Sequence, residues 1–413
     1  MKLFPCGHAT HPDAQMAAAL ALAQVRAQMA RAEYAQTPGL GLLYITDHYN
    51  AQAPALLARL RSELPMVRDW VGTSAMGIAA PGAEYWDEPA LALMLCDLPP
   101  EHYRVFSGVS PLPSGWGAAR ALVHAEPQTA ELAELLGELA ERTHSGQLFG
   151  GLSSGRGQAL QFAVQAGHTP LDEGVFSGGL SGVAFSSAVP LLTRLSQGCQ
   201  PVSAAHAVTR ADALVALELD GQPALEVLQR DLDVTLEDPQ RAVQVVRQTL
   251  VGLGRPGQAV VDRTGALQAQ ARVRHIIGLD PMRQGVALAE PLATGMQWVF
   301  CRRDAKTARA DLVRICAELR EALEPESEAL EAALLHANDA TRSLPAPGRR
   351  IAGAIYVSCT GRGGLHFGGP SAEMQIVQHA LGEVPVVGFY ATGEIAGPQL
   401  YGYTGVLTVF CAD

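Results

Sequence analysis

The sequence predicts an α/β protein of two related domains, with mixed β-sheets covered by helices and an internal duplication. Three observations predict it. Apolar runs of strand length alternate with helix-patterned segments along all 413 residues. One order of elements occurs near both ends of the chain. The content, 48% apolar and 17% charged, is that of a folded chain with enough residues for two or three domains.

The opening HPDAQMAAALALAQVRAQMARAEYAQ predicts a long Ala-rich helix with Asp13 near its start. A strand follows at 39–46 (GLGLLYIT), then a helix at 53–64 with apolar residues at helical spacing. MVRDWVG and ALALMLCDL read as strands, and 129–143 (TAELAELLGELAERT) as an amphipathic helix. QLFGG and VFSGGLSGVAFSS read as strands with glycine breaks, and the antiparallel-looking 174–189 makes the sheets mixed. Breaks fall near 233–240 and at 345–350.

The repeat reads as follows. GLLYITDHYN leads to a helix, then VGTSAMGI, then PALALMLCDL; AGAIYVSCTGRGG leads to a helix at 371–381, then VGFYATGEI, then TGVLTVFCAD. A third short copy is FGGLSSGRG at 149–157. In each, Val or Phe and Gly end a strand, small hydroxyl residues follow, and another Gly closes the turn. The period is too long for a solenoid.

Composition narrows the function. A net charge of −11 without a basic cluster argues against nucleic acid, which is bound through Lys and Arg. No run of about 18 apolar residues predicts a membrane span, and MKLFPCGHATHP does not read as a signal peptide. A cytoplasmic protein is expected. The seven cysteines are odd in number and lack CxxC spacing, so neither a disulfide framework nor a zinc site is expected. The twelve histidines show no HExxH or HxxxH spacing, and no metal site is expected.

The glycine loop VSCTGRGGLHFGG (357–369) follows an apolar strand, the setting of many phosphate sites. It lacks the GK[ST] of a P-loop, and His366 stands where the third Gly of GxGxxG belongs.

CTGRG at 359–363, a helix carrying Glu373, VPVVGFYATGEI at 384–395 and the closing TGVLTVF together resemble the C-terminal FIST domain. GCQPV (198–202) and 208–228 are similar to the stretch joining the two FIST halves, and 273–305 to the start of the C-terminal half. VGTSAMGI and FGGLSS match the N-terminal pattern. The resemblance covers nearly the whole chain and implies a FIST N-terminal-like domain at 1–235 and a FIST C-terminal-like domain at 236–413. It implies an intracellular sensory module for a small ligand, amino acids being the usual suggestion. Some bacterial members of the family bind haem and sense nitric oxide, so haem is an alternative cofactor. With no room for an output domain, signalling would pass through a protein partner. One departure is Ile78, standing where the C-terminal copy has Glu394.

The ligand site is therefore expected in the C-terminal copy, at Cys359, Gly361, Arg362, Gly363, Tyr390, Thr392, Gly393 and Glu394. Arg362 is able to clamp a carboxylate in a planar fork, and Glu394 to take an amine, which together suit a zwitterion. The opposing reading is a structural pair of Arg362 with Glu394 or Glu373. Cys359, next to Arg362, is either a pocket thiol or a small packed residue. Gly151-Leu-Ser153-Ser-Gly155 fits GxSxG in letters, which leaves an enzyme using Ser153 or Cys359 as a further alternative; a binding protein is the expectation. His275 reads as a core histidine or haem ligand, and Asp280 as a turn former before Pro281.

Overall fold

The computed structural model describes residues 1–167, 173–324 and 349–412. They fall into two compact units: Met1–Leu195 with Leu312–Leu400 and Gly405–Asp413, and Ser196–Asp311 with Tyr401–Thr404. Expectations for 345–348 lie outside the described residues.

The chain runs three times through one succession of elements. The first passage is β1 (Cys6–Thr10), α1 (Ala14–Met29), β2 (Leu40–Thr46), α2 (Ala53–Glu63), β3 (Asp69–Ala75), the hairpin β4 (Gly77–Ala80) and β5 (Ala83–Trp86), and β6 (Ala90–Cys96). The second is β7 (Tyr103–Ser107), β8 (Ala118–Ala125), α3 (Leu132–Glu141), β9 (Gln147–Leu152), the pair β10 (Gln161–Val164) and β11 (Val175–Phe176), and β12 (Leu180–Ser186). The third opens with β13 (Leu191–Ser196). It is interrupted by β14 (Cys199–Asp212), β15 (Val215–Leu219), β16 (Gln222–Pro223), α4 (Ala224–Asp231), α5 (Pro239–Gln248), β17 (Leu250–Gly254), β18 (Arg272–Asp280), β19 (Gly285–Leu288) and β20 (Gln297–Arg303). After α6 (Ala305–Glu321) it resumes with β21 (Arg350–Cys359), α7 (Ala372–Leu381), β22 (Val386–Ala391), β23 (Glu394–Ala396), β24 (Gln399–Tyr401) and β25 (Gly405–Ala412).

Each passage pairs two strands in parallel across a helix and returns the last strand antiparallel to the first of them. The pairs are β2 with β3 and β6, β8 with β9 and β12, and β21 with β22 and β25. Each passage also gives its hairpin away. The sheet orders are β1-β6-β2-β3-β10-β11, β7-β12-β8-β9-β23-β24 and β13-β25-β21-β22-β4-β5. The hairpins are thus exchanged in a ring, and three mixed sheets interlock in one unit. The copies share one core instead of each building a compact unit.

The parallel pair within each copy explains a sequence signal. Gly72 lies opposite Leu43, Gly150 opposite Val123 and Gly388 opposite Tyr356. A Cβ at any of the three would overlap the carbonyl oxygen of that partner residue. The Val-Gly or Phe-Gly of each copy is therefore a backbone-contact requirement. The inner faces of the sheets meet in one core that includes Leu42, Tyr44, Leu122, Phe149, Val357 and Phe389. Leu43 and Ile45 point the other way, onto a second core with α1 and α2 residues such as Leu22 and Leu57. Burial on both faces is why β2 reads as a continuous apolar run. Asp13 caps α1 as expected, accepting from the Gln15 amide at 2.8 Å.

In the second unit, β14 pairs with both β20 and β15 and so closes β14-β20-β17-β18-β19-β15 into a ring of antiparallel strands. Trp298, Phe300, Val251 and Leu228 fill its core. Residue 235 lies within this unit, between α4 and α5, and β21, β22 and β25 return to the first unit. The compact units therefore do not follow the division between 1–235 and 236–413. Strands that share a core cluster together wherever they fall in the chain.

Candidate functional site

The C-terminal copy brings its expected residues together. β21 and β22 run parallel, with Cys359 opposite Ala391, so the loop after Cys359 and the turn at Thr392–Gly393 lie side by side at one sheet end. This is where open α/β sheets place ligands.

A buried charge network occupies that end. Arg362 on the loop is 1% exposed and Glu373 on α7 is fully buried. Arg362 Nε and Nη2 both lie 2.9 Å from Glu373 Oε1. Tyr356 Oη donates to the same oxygen at 2.6 Å, and Ser358 Oγ lies 2.9 Å from it. Tyr390 Oη reaches Glu373 Oε2 at 3.3 Å and also bonds Glu84. The guanidinium stacks over Phe367, its centre 5.1 Å from the ring centroid. The structural pair weighed for Arg362, with Glu373, is the one observed.

The network holds more acid than base. Glu373 and Glu394 lie beside Arg362, and Glu84 lies beside Glu373. Burial opposes the charge on Arg362, but Tyr356, Glu373 and Glu394 hold its pKa above the usual value. Burial, reinforced by the nearby Glu373 carboxylate, pushes Glu84 up to about 7, although the Met374 amide and Tyr390 favour its ionised form. Glu84 Oε1 accepts the Met374 amide at 3.0 Å, and Ser371 Oγ accepts the Glu84 amide at 2.9 Å.

Glu84 and Trp86 belong to β5, the strand that the first copy contributes to this sheet. Trp86 lies against Gly363, where any Cβ would overlap the indole, and meets Tyr390 edge-on at 5.1 Å. Gly363 is required by this close approach. Neither β5 residue was legible as part of the site, because sequence positions nearly the whole chain apart carry no local signal of pairing. Tyr356 and Ser358 were hidden in a strand that reads only as apolar.

The other expected residues fall as follows. Cys359 is buried, as are all seven cysteines. Glu394 is fully buried beside Arg362. Gly361 is half-buried and Gly393 buried; Thr392 is exposed, with Oγ1 donating to the Ser153 carbonyl at 3.1 Å. Ser153 is fully buried, 2.7 Å from Thr73 Oγ1. The RGQALQF segment after it does not form the helix of a nucleophile elbow. It passes into β10 beside β3, and the Leu160 amide donates to Ser74 Oγ at 2.8 Å. The small hydroxyl residues shared by the copies thus line the crossing between sheets: Ser154 Oγ also donates to the Tyr390 carbonyl at 2.5 Å.

The FIST N domain matches residues 39–222 and the FIST C domain residues 224–397. The chain belongs to the FIST family. FIST domains are small-ligand sensory domains. Similar chains include an uncharacterised protein of Mycobacterium tuberculosis and one of Mycobacterium bovis, each 30% identical, with 98% of both chains covered. In this FIST chain, His275 is exposed rather than in the core, and its Nε2 lies 2.6 Å from Tyr403 Oη. Asp280 makes the expected turn, accepting from the Arg283 amide at 3.0 Å. His124 is fully buried between Tyr44 and Phe389, and burial lowers its pKa to about 3. Among the described residues, no helix is long and apolar enough to cross a membrane, and no cluster of three or more His, Cys, Asp or Glu is arranged to hold a metal.

Proposed function

We propose that this protein binds a small metabolite at the rim of the Arg362 network and passes that state to a protein partner. The observation behind the reading is the clustering of acid: Glu373 and Glu394 lie beside Arg362, and Glu84, at the half-buried edge, lies beside Glu373 with its pKa raised to about 7. A ligand presenting a cation or N–H donor to Glu84 favours its ionised form. Glu84 also ties β5 to α7 through the Met374 amide, so ligand charge and hairpin position are linked. That linkage gives a sensor two states to distribute between.

The Arg362 fork is engaged by Glu373. An amino-acid ligand would place its ammonium at Glu84 and leave its carboxylate to loop amides such as those around Gly363 and Gly364. The odd set of cysteines without CxxC spacing supports a cytoplasmic setting. His275 faces Tyr403 and Ser153 faces Thr73, so neither of these two residues lends support to the haem or the Ser153 alternative.

Thermal-shift screening of small metabolites against the wild type and Glu84→Gln tests this. A ligand that stabilises the wild type and not the variant supports it. Stabilisation that is equal in both removes Glu84 from the reading.

A further inference from the structure

The three strand ends of the first unit are equivalent in topology but not in filling. In the third copy, Arg362 and its partners occupy the space beyond the parallel pair. In the first, Asp47 receives Arg156, with Nη2 2.7 Å from Oδ1. In the second, beyond β8 and β9, there is an open cavity of about 470 Å³. Glu126, Gln128 and Thr129 line it on the β8 side, with Gly157 and Gln158 facing them.

The backbone of this cavity is internally satisfied. The Glu126 amide donates to the Gly179 carbonyl at 2.9 Å and Thr129 Oγ1 to the same carbonyl at 3.2 Å. Gln161 Nε2 covers the Gly178 and Gly179 carbonyls, each at 3.1 Å. The carboxylate is different: Glu126 Oε2 is buried and, among the described residues, has no hydrogen-bond partner. A buried carboxylate oxygen left without a donor is costly, and burial raises the Glu126 pKa. Among the described residues, no Lys, Arg or His lines it. There is also room for an occupant. A Cβ at Gly157, Gly178 or Gly179 would meet nothing within 4 Å.

We propose that this cavity is a second ligand site, for a small organic cation with N–H donors, an amine or guanidine without a carboxylate, held by Glu126. With no cation among the described lining residues, anions and zwitterions are disfavoured. The two glutamines offer further acceptors and donors to such a ligand. The site is separate from the Arg362 network and stands whether or not that network senses a metabolite.

Calorimetric titration of the full chain with methylguanidine and putrescine tests the proposal, with acetate and glycine as controls. At least one cation is expected to bind saturably and the controls not to bind. Glu126→Gln is expected to weaken the cation about ten- to a hundredfold, the worth of one charge-assisted hydrogen bond. Gly157→Leu, at a lining position where a Cβ meets nothing within 4 Å, is expected to weaken binding without lowering the melting temperature. Glu84→Gln is expected to leave it unchanged, which separates this site from the one at Arg362. Failure of both cations to bind, affinity unchanged in Glu126→Gln, or equal binding of glycine would overturn it.

Discussion

Arg362 and Glu373 face each other in the protein interior, Nη2 and Oε1 2.9 Å apart, with neither side chain more than 1% exposed. One residue comes from the glycine loop and the other from α7, so the pair fixes the loop on the helix. Removing one partner of a buried pair strands the other charge and costs about 3–5 kcal/mol. Arg362→Ala and Glu373→Gln are each expected to lower unfolding free energy by about that much, read by urea denaturation. Arg362→Lys is expected to recover only part, because an ammonium cannot reproduce the planar contacts to Glu373 and Tyr356. Near-wild-type stability of Arg362→Ala would show that the loop is held by other contacts.

Glu84 gives the network a pH signature. Its folded pKa, about 7, lies above its ordinary value of 4.5, so the folded state holds the proton more tightly. The stability contributed by protonated Glu84 is fully present below about pH 4.5 and is lost as pH rises through about 7. Glu84→Gln is expected to remove this downward slope from a plot of stability against pH. An unchanged slope in the variant would mean that Glu84 titrates normally.

His124 acts with the opposite sign. Its folded pKa of about 3 lies below the ordinary 6.5, so the unfolded state takes up the proton first. Its contribution is present above about pH 6.5 and is lost as pH falls toward 3. His124→Leu is expected to flatten the acid side of the stability profile, while giving up the contact of Nε2 with Tyr44 Oη, 3.2 Å away. An acid limb as steep as that of the wild type would refute this.

The parallel strand pair within each copy makes three glycines non-interchangeable with alanine. Gly72→Ala, Gly150→Ala and Gly388→Ala each drive a Cβ into the backbone of the neighbouring strand. Each is expected to cost about 1–3 kcal/mol or more. Gly108→Ala, where a Cβ meets nothing within 4 Å, is expected to stay within about 0.5 kcal/mol of wild type. Melting curves of the four variants check this, and three silent strand glycines would mean that the sheets part more easily than their register implies.

Much of this fold is legible in local pattern. The helix from Ala14, the strand ending at Thr46 and the copies' Gly-hydroxyl-Gly turns follow from periodicity and composition. The exchange of hairpins is not, because β4 and β5 look the same whether they fold back on β3 or cross to β22. That crossing puts Glu84 and Trp86 at the C-terminal site, so the site was half legible. Its loop, Arg362, Glu373 and Glu394 stand in one sequence neighbourhood, but its β5 wall does not. Glu126 was invisible for a similar reason: its significance comes from empty space and an unpartnered oxygen, and neither leaves a mark in the sequence.

Native mass spectrometry of the protein purified from its own cells tests most directly whether this FIST chain binds a small molecule. A bound mass is expected, and the compound identified should raise the melting temperature of the wild type but not of Glu84→Gln. Protein isolated only at its bare mass, and left unstabilised by extracts of the same cells, would contradict the sensory reading.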